Sequence, residues 1–163
     1  MSKQRKDKSE MSIELIERDI EELNSIEPLW RQLNEIHKAK SVNFGRVYEY
    51  YTFEKRMDGL IAGFPKGKQL LNILINTETN EDIGYCLSTI EDGAGEIESI
   101  FIKPEYRRQH LGERLMNSAL AWFDLNSVRN ITIGVVYGNN EALPFCRHCG
   151  FDVSVYLLRR SVR

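Results

Sequence analysis

The apolar positions change period along the chain, and each change marks a new element. Between Met11 and Arg18 they alternate, with Ile13 and Leu15 flanking Glu14, which predicts a short edge-like strand. From Asp19, a residue suited to a helix N-cap, the spacing becomes three and four, so that Leu23, Ile26, Trp30, Leu33 and His37 share one face. Pro28 either kinks this helix or divides it into two. After a loop at KSVNFG, a second amphipathic segment over residues 46–62 repeats through Val47, Tyr50, Met57 and Ile61.

The period then shortens. Residues 69–76, 82–89 and 96–103 are three apolar-rich runs separated by TETNED and EDGAG, the pattern of an antiparallel meander with tight turns. Residues 111–125 predict a strong helix whose apolar face is Leu111, Leu115, Ala119, Trp122 and Phe123. A strand over 131–137, a short helix over 140–149 and a last strand over 151–159 complete the order β-α-α-β-β-β-α-β-α-β. That order predicts an α/β fold: a mixed, mostly antiparallel sheet flanked by helices.

Composition narrows the class. With 163 residues, 42% of them hydrophobic, the chain fits one domain over residues 11–163, and residues 1–10, nearly devoid of apolar side chains, are expected to be a disordered leader. The net charge of -2 gives no basic footprint, so no nucleic-acid partner is expected. No run approaches the ~20 apolar residues of a membrane span, and no secretory apolar core follows the N-terminus, so a soluble cytoplasmic protein is expected without a membrane partner. Cys146 and Cys149 form a Cys-x-x-Cys pair, but Cys86 is distant, no second pair follows, and His37, His110 and His148 stand at no metal-ligand spacing. The cysteines are expected to be free thiols, and no metal is expected.

The segment EIESIFIKPEYRRQHLGERLMNSALAWF, beginning at Glu96, carries the most chemistry. A strand ends at Lys103, Pro104 fixes a turn, and a basic run leads straight into the helix at Leu111. Such a joint aims backbone N–H groups and a helix N-terminus at one spot, an arrangement suited to a phosphate or pyrophosphate, and Arg107 and Arg108 add positive charge. Neither the Walker pattern nor the three-glycine dinucleotide fingerprint is present. On the strand before it, the two-residue period places Glu96 and Glu98 on one face, either as solvated carboxylates or as groups directed at a cationic acceptor.

This segment resembles the pyrophosphate motif of the GCN5-related N-acetyltransferase superfamily, Arg/Gln-x-x-Gly-x-Gly/Ala. Arg107 and Gly112 match its first and last defined positions, and His110 stands where the middle glycine usually sits. A second match lies downstream, where Asn139 or Asn140, Ala142, Phe145 and Gly150-Phe151 resemble the family's Asn-x-x-Ala helix and closing Gly-Phe. The resemblance spans about residues 11–160. It implies an acyl-CoA N-acyltransferase fold and direct transfer of the acetyl group of acetyl-coenzyme A (acetyl-CoA) to a primary amine.

The site residues follow from the same resemblance. It implies that backbone groups near Phe101 and Ile102 meet the acyl group, that Arg107, Arg108, Gln109, His110, Leu111, Gly112 and Glu113 surround the pyrophosphate, and that Asn139, Asn140, Ala142 and Phe145 line the pantetheine arm. It makes Glu98 or Glu96 the base or amine-orienting group. The position that holds a tyrosine in many relatives is Cys146, a thiol either packed or available to protonate the leaving thiolate, with Tyr137 as another hydroxyl nearby in sequence. His37, Trp30 and Tyr50, on the two helices that cover the family's acceptor pocket, are the substrate-binding candidates. The acidic pair beside aromatic residues favours a small cationic amine, polyamine-like or aminoglycoside-like, over an acidic acceptor; a protein N-terminus or lysine is the alternative acceptor, and a non-catalytic acyl-CoA sensor the non-enzymatic alternative. A homodimer using the last strand is a further implication of the resemblance.

Overall fold

The computed structural model describes residues 12–160; the expected leader over residues 1–10 lies outside them. A five-stranded sheet in the order β1-β2-β3-β4-β5 runs through the centre, formed by β1 (Ile13–Arg18), β2 (Gly67–Asn76), β3 (Glu81–Glu91), β4 (Ala94–Ile102) and β5 (Asn130–Ile133). The first four strands are antiparallel, and β5 joins β4 in parallel. The β3–β4 hairpin turns at Asp92 and Gly93, both with positive φ, the geometry that a two-residue turn between twisted strands requires.

Helices cover both faces. Helix α1 (Glu27–Lys40) and α2 (Phe53–Ile61) bury Leu29, Trp30, Leu33, Phe53, Met57 and Leu60 against Leu71, Ile73, Tyr85, Leu87 and Phe101 of the sheet. Helix α3 (Leu111–Leu125) covers the other face with Leu111, Leu115, Met116, Ala119 and Phe123, and α4 (Ala142–His148) packs beside it through Phe145. Alternation divides the two cores, with Leu71 and Ile73 of β2 pointing one way and Leu74 the other, and Tyr85 and Leu87 of β3 opposite to Cys86; a bulge where β3 passes Leu74 and Ile75 leaves Ile83 without a partner on β2 and turns it to the Cys86 side. Arg18 pairs with Asp82 through two hydrogen bonds of 2.6 and 2.9 Å, tying β1 across the sheet. Among the described residues no helix is long and apolar enough to cross a membrane.

Several expected boundaries move. Pro28 does divide the first helical segment: Asp19 caps a 3-10 helix at Ile20–Ile26, and the proline sits in the first turn of α1, where its missing N–H costs no intrahelical bond. The segment expected as one helix over 46–62 is a 3-10 turn at Gly45–Glu49 followed by α2, so its buried face is Phe53, Met57 and Leu60, while Val47, Tyr50 and Ile61 are exposed. Asn34, buried on α1, donates to the carbonyls of Tyr48 and Tyr51 and anchors this break. The strand expected over 131–137 ends at Ile133, and the helix expected over 140–149 is Ala142–His148. The strand expected over 151–159 is absent: this segment pairs with no other strand, and Val155, Tyr156, Leu157 and Leu158 are more than 70% exposed.

Candidate active site

The site begins where two strands part. Along β4 and β5 the parallel register runs from Ala94 opposite Asn130 to Ile97 opposite Ile133 and stops there. On its other side β4 stays paired with β3, but Leu87 lies opposite Ser99 and Ser88 opposite Ile97, leaving Glu98 as the extra residue of a β-bulge. Beyond the bulge, the edge of β4 from Ser99 to Ile102 has no strand of the described chain paired with it on the side where β5 has ended, and this parting of the two strands is the cleft of the site. Main-chain polar groups on such an edge are available to a ligand.

Glu96 and Glu98 both lie at this parting, Glu96 within the last residues paired with β5 and Glu98 as the bulged residue itself. Glu98 is held on both sides: Thr89 Oγ1 donates to its Oε1 at 2.7 Å, and Arg56 Nη2 of α2 donates to its Oε2 at 2.8 Å. Glu96 lies between Thr89 of β3 and Thr132 of β5 with its side chain accessible to solvent, and its carboxyl is raised above the usual range, first by the local desolvation beside the sheet and then by the neighbouring Glu98, with Arg56 opposing. Tyr85, opposite Phe101, is fully buried; its hydroxyl has no partner in bonding geometry, although Ser99 lies near enough to offset in part the rise that burial imposes on the phenol.

The turn after β4 forms the second part of the site. Arg108 and His110 both take positive φ, at 60° and 58°, uncommon for residues other than glycine. Left-handed His110 followed directly by helical Leu111 turns successive N–H groups to one side, a concavity suited to an anion. The helix closes its first bond from Arg114 N to His110 O, which leaves the N–H groups of Leu111, Gly112 and Glu113 without intrahelical acceptors, and no side chain caps them. His110 thus adopts the conformation a glycine would have taken. Its ring turns outward, with Nδ1 3.0 Å from Glu113 Oε1; His148 Nε2 lies 3.4 Å from the same oxygen. The interaction with His110 leads the causes that lower the Glu113 carboxyl.

Arg107 turns back toward the sheet, donating from Nε to Ile102 O at 3.0 Å with its guanidinium 5.7 Å from the Phe101 ring centroid, while Arg108 and Gln109 are exposed. Gly112 serves packing as well as access: a Cβ there would meet the Phe145 ring at 3.1 Å, so the glycine lets α4 close on α3. Asn139 Oδ1 accepts from Ala142 N at the start of α4 and from Lys40 Nζ, and Asn140 lies in the same turn. At Gly138, φ is 108° and a Cβ would stand 2.1 Å from Lys40 O, so only glycine lets this loop lie against the end of α1. Cys146 is buried in α4, and burial pushes its thiol up, with Cys149 adding to the effect.

The remaining candidates separate. Trp30 lies in the core, edge-on to Phe53. His37 packs against Tyr48 with the ring centroids 5.5 Å apart and the planes tilted by 54°, and burial lowers its imidazole pKa. Tyr50 and Tyr137 are both 73% exposed. Sequence reasoning missed Arg56 and Thr89, whose roles arise only when α2 and β3 are folded against β4, and Lys40, which pairs with Glu141 at 3.1 Å across the mouth. It also missed an open groove of about 500 Å³ between the α1–α2 loop and the end of the chain, lined by Val42, Phe44, Val47, Arg46, Arg159 and Arg160. No described carboxylate pairs with these three guanidiniums. Among the described residues there is no cluster able to hold a metal ion.

Comparison with known proteins gives a concordant picture. The family model described as Acetyltransferase (GNAT) family matches residues 30–151. A putative acetyl transferase from Pyrococcus furiosus superposes with a TM-score of 0.71 at 18% identity, over 93% of this chain and 100% of that one. The PaiA N-acetyltransferase from Thermoplasma acidophilum, solved in complex with coenzyme A, gives 0.69 at 22% identity over 88% and 92%. An aminoglycoside antibiotic 6'-N-acetyltransferase from Acinetobacter haemolyticus gives 0.61 at 14% over 92% and 98%. No curated protein matches the chain. A coenzyme A ester needs an anion cradle and a slot for an extended arm; the left-handed turn before α3 and the unpaired edge of β4 fit both needs.

Proposed function

Because the chain belongs to the acetyltransferase (GNAT) family and takes acetyl-CoA as its acyl donor, we propose that it acetylates the primary amine of a small cationic molecule. The observation that carries this reading is the state of the two carboxylates at the parting of β4 and β5. Glu98 is neutralised by Arg56, which leaves Glu96 as an accessible carboxylate of raised proton affinity with no ion-pair partner among the described residues. One such group suits one ammonium: it attracts the charged amine and then takes its proton, so that the neutral nitrogen can attack. The likeness of fold to an aminoglycoside acetyltransferase supports the small-amine class.

In this account the acetyl-CoA supplies the activated thioester. The chain's N–H groups at Leu111, Gly112 and Glu113, beside Arg107 and Arg108, would hold its pyrophosphate, with Gln109 and His110 shaping the turn, and the edge of β4 at Phe101 and Ile102 would receive the acyl arm. Asn139, Asn140, Ala142 and Phe145 would line the arm from the α4 side. Cys146, kept protonated by burial, is the α4 group assigned to the leaving thiolate. His37 and Tyr50 border the acceptor side, and Trp30 supports them from the core. Residues 11–163 act as one domain, in the cytoplasm.

A second reading is favoured by Arg46, Arg159 and Arg160. Three guanidiniums with no carboxylate partner among the described residues, set around an apolar groove, suit an acceptor that carries a carboxylate or phosphate besides its amine. Thiol release from acetyl-CoA with spermidine, kanamycin, a lysine peptide and an acidic dipeptide separates the two. Turnover with spermidine or kanamycin is expected; turnover with the acidic dipeptide alone reverses the assignment, and with the peptide alone it moves the protein to the peptide-modifying class. The same assay on Cys146→Ala tests the thiol: undiminished turnover returns that residue to packing.

A further inference from the structure

We propose that Arg56 is a positioning residue, which through Glu98 locks the β4 bulge at the apex of the cleft and sets the charge that Glu96 meets. The inference rests on the reading that this cleft holds the acyl donor and that Glu96 is the base.

The geometry is unusually complete for a surface helix residue. Arg56 Nη2 reaches Glu98 Oε2 at 2.8 Å and also Glu98 O at 3.4 Å, so one guanidinium engages the side chain and the main chain of the same bulged residue. Thr89 fixes the other carboxylate oxygen from the opposite strand. The Glu98 side chain is 10% exposed and that of Arg56 25%, which makes the pair stronger than a solvated ion pair and costly to break from one side. The bulge is also the residue at which β4 leaves β5, immediately after Ile97 pairs with Ile133. Helix α2 therefore holds, through one side chain, the point from which the unpaired edge Ser99–Ile102 is directed into the cleft.

The same lock bears on Glu96. The charged groups that face it are Glu98 on its own strand and Arg56 on α2; β3 and β5 place the neutral Thr89 and Thr132 opposite it. Arg56 and Glu98 thus act on Glu96 with opposite signs, and removing one alone must move its titration in a known direction.

Carbon-13 carboxyl NMR on the protein without cofactor reads this directly, with Glu96→Gln identifying the resonance. Arg56→Met is expected to raise the Glu96 midpoint, Glu98→Gln to lower it, and Arg56→Lys to leave it near that of the wild type. Calorimetry supplies the second readout. Coenzyme A affinity is expected to stay within about twofold in Arg56→Met, while the preference for acetyl-CoA over coenzyme A falls about fivefold, the size of one lost hydrogen bond. Lysine is expected to restore that preference only in part: both bonds come from one nitrogen, Nη2, which the planar guanidinium holds in place, whereas an ammonium on a flexible stem must first be ordered to reach carboxylate and carbonyl together. Midpoints that stay fixed or move in the same direction in Arg56→Met and Glu98→Gln overturn the proposal, as does an unchanged acetyl preference in both. If Arg56→Met does not fold, Glu98→Gln carries both readouts. A wild-type protein that binds neither coenzyme A nor acetyl-CoA overturns the functional reading instead, before any variant is compared.

Discussion

The two ends of the sheet obey opposite rules. From β1 to β4 every strand is paired in antiparallel register and the buried side chains interleave on both faces: Leu71, Ile73, Leu74, Ile83 and Leu87 are 1% exposed or less. Beyond β4 pairing fails. Its contact with β5 lasts four residues, the bulge at Glu98 interrupts the register it otherwise keeps with β3, and the segment after α4 pairs with no described strand. The first half spends its main-chain hydrogen bonds on itself, whereas the second leaves them open next to carboxylates and a helix N-terminus. Stability and chemistry are thereby placed in different parts of one sheet, and substitutions can separate them.

The largest effect belongs to the paired half. Leu71 lies on β2 opposite Arg18 and Leu87, 1% exposed and away from the parting of β4 and β5. Leu71→Ala is expected to cost ~3 kcal/mol in urea unfolding, through lost transfer energy and a residual cavity. Acetyl-CoA affinity measured well below the transition is expected to be unchanged. A matching fall in affinity breaks the separation.

Glu96→Gln is the converse, with turnover expected to fall about 100-fold as the base is lost and stability to rise. Its carboxyl has a folded pKa raised above the unfolded value, so the stability it contributes is full below the unfolded pKa and is lost as pH climbs through the folded one. At neutral pH the charged group is therefore a net cost, and its amide replacement is expected to melt at a higher temperature, with the gap closing in acid. The rate in the wild type is expected to lose its acidic limb at a pH above that of an ordinary carboxylate. A variant that is both slower and less stable at neutral pH argues against this account of Glu96.

The same division explains what the sequence discloses. The meander was legible because each strand alternates and because Asp92-Gly93 is a strong hairpin signal; α3 was legible from its five-membered apolar face. Strand alternation also put Glu96 and Glu98 together, but it could not show the bulge, which depends on a register between β3 and β4 that no local pattern encodes. Arg56 was invisible for a related reason. On a helix with Glu54, Lys55 and Asp58 around it, it is one solvated charge among several until α2 settles over Glu98. The positions at 151–159 failed differently: the residues have strand character, but strand character alone supplies no neighbour, and β5 is too short to offer much edge.

Gly112 tests the joint between the halves, with a smaller effect. Since a Cβ there meets Phe145 at 3.1 Å, Gly112→Val must push α4 from α3 and crowd the turn at His110. Acetyl-CoA affinity is expected to weaken about tenfold, with a loss of ~1 kcal/mol in stability. Calorimetry and urea unfolding on the same preparation give both numbers. Full affinity in the valine variant removes the N-terminus of α3 from the binding account.

The smallest expected effect on the folded protomer lies at the chain's end. Leu157 is 88% exposed beside Val155, Tyr156 and Leu158, so Leu157→Lys removes almost no packing and is expected to change unfolding free energy by less than ~0.5 kcal/mol. Its consequence is expected in assembly. Four large apolar side chains in a row, extended and unpaired, form the kind of patch that a second chain covers, and a central charge opposes that contact. Sedimentation of the wild type is expected to give twice the 19.0 kDa chain mass, and that of the lysine variant the single mass. A wild type that sediments as one chain at all concentrations removes the homodimer, and with it the reason for leaving β5 so short an edge. A variant that stays dimeric shifts the contact to another surface and leaves the 151–160 segment to the arginine-lined groove, where Arg159 already lies 6.0 Å from the Phe44 ring centroid.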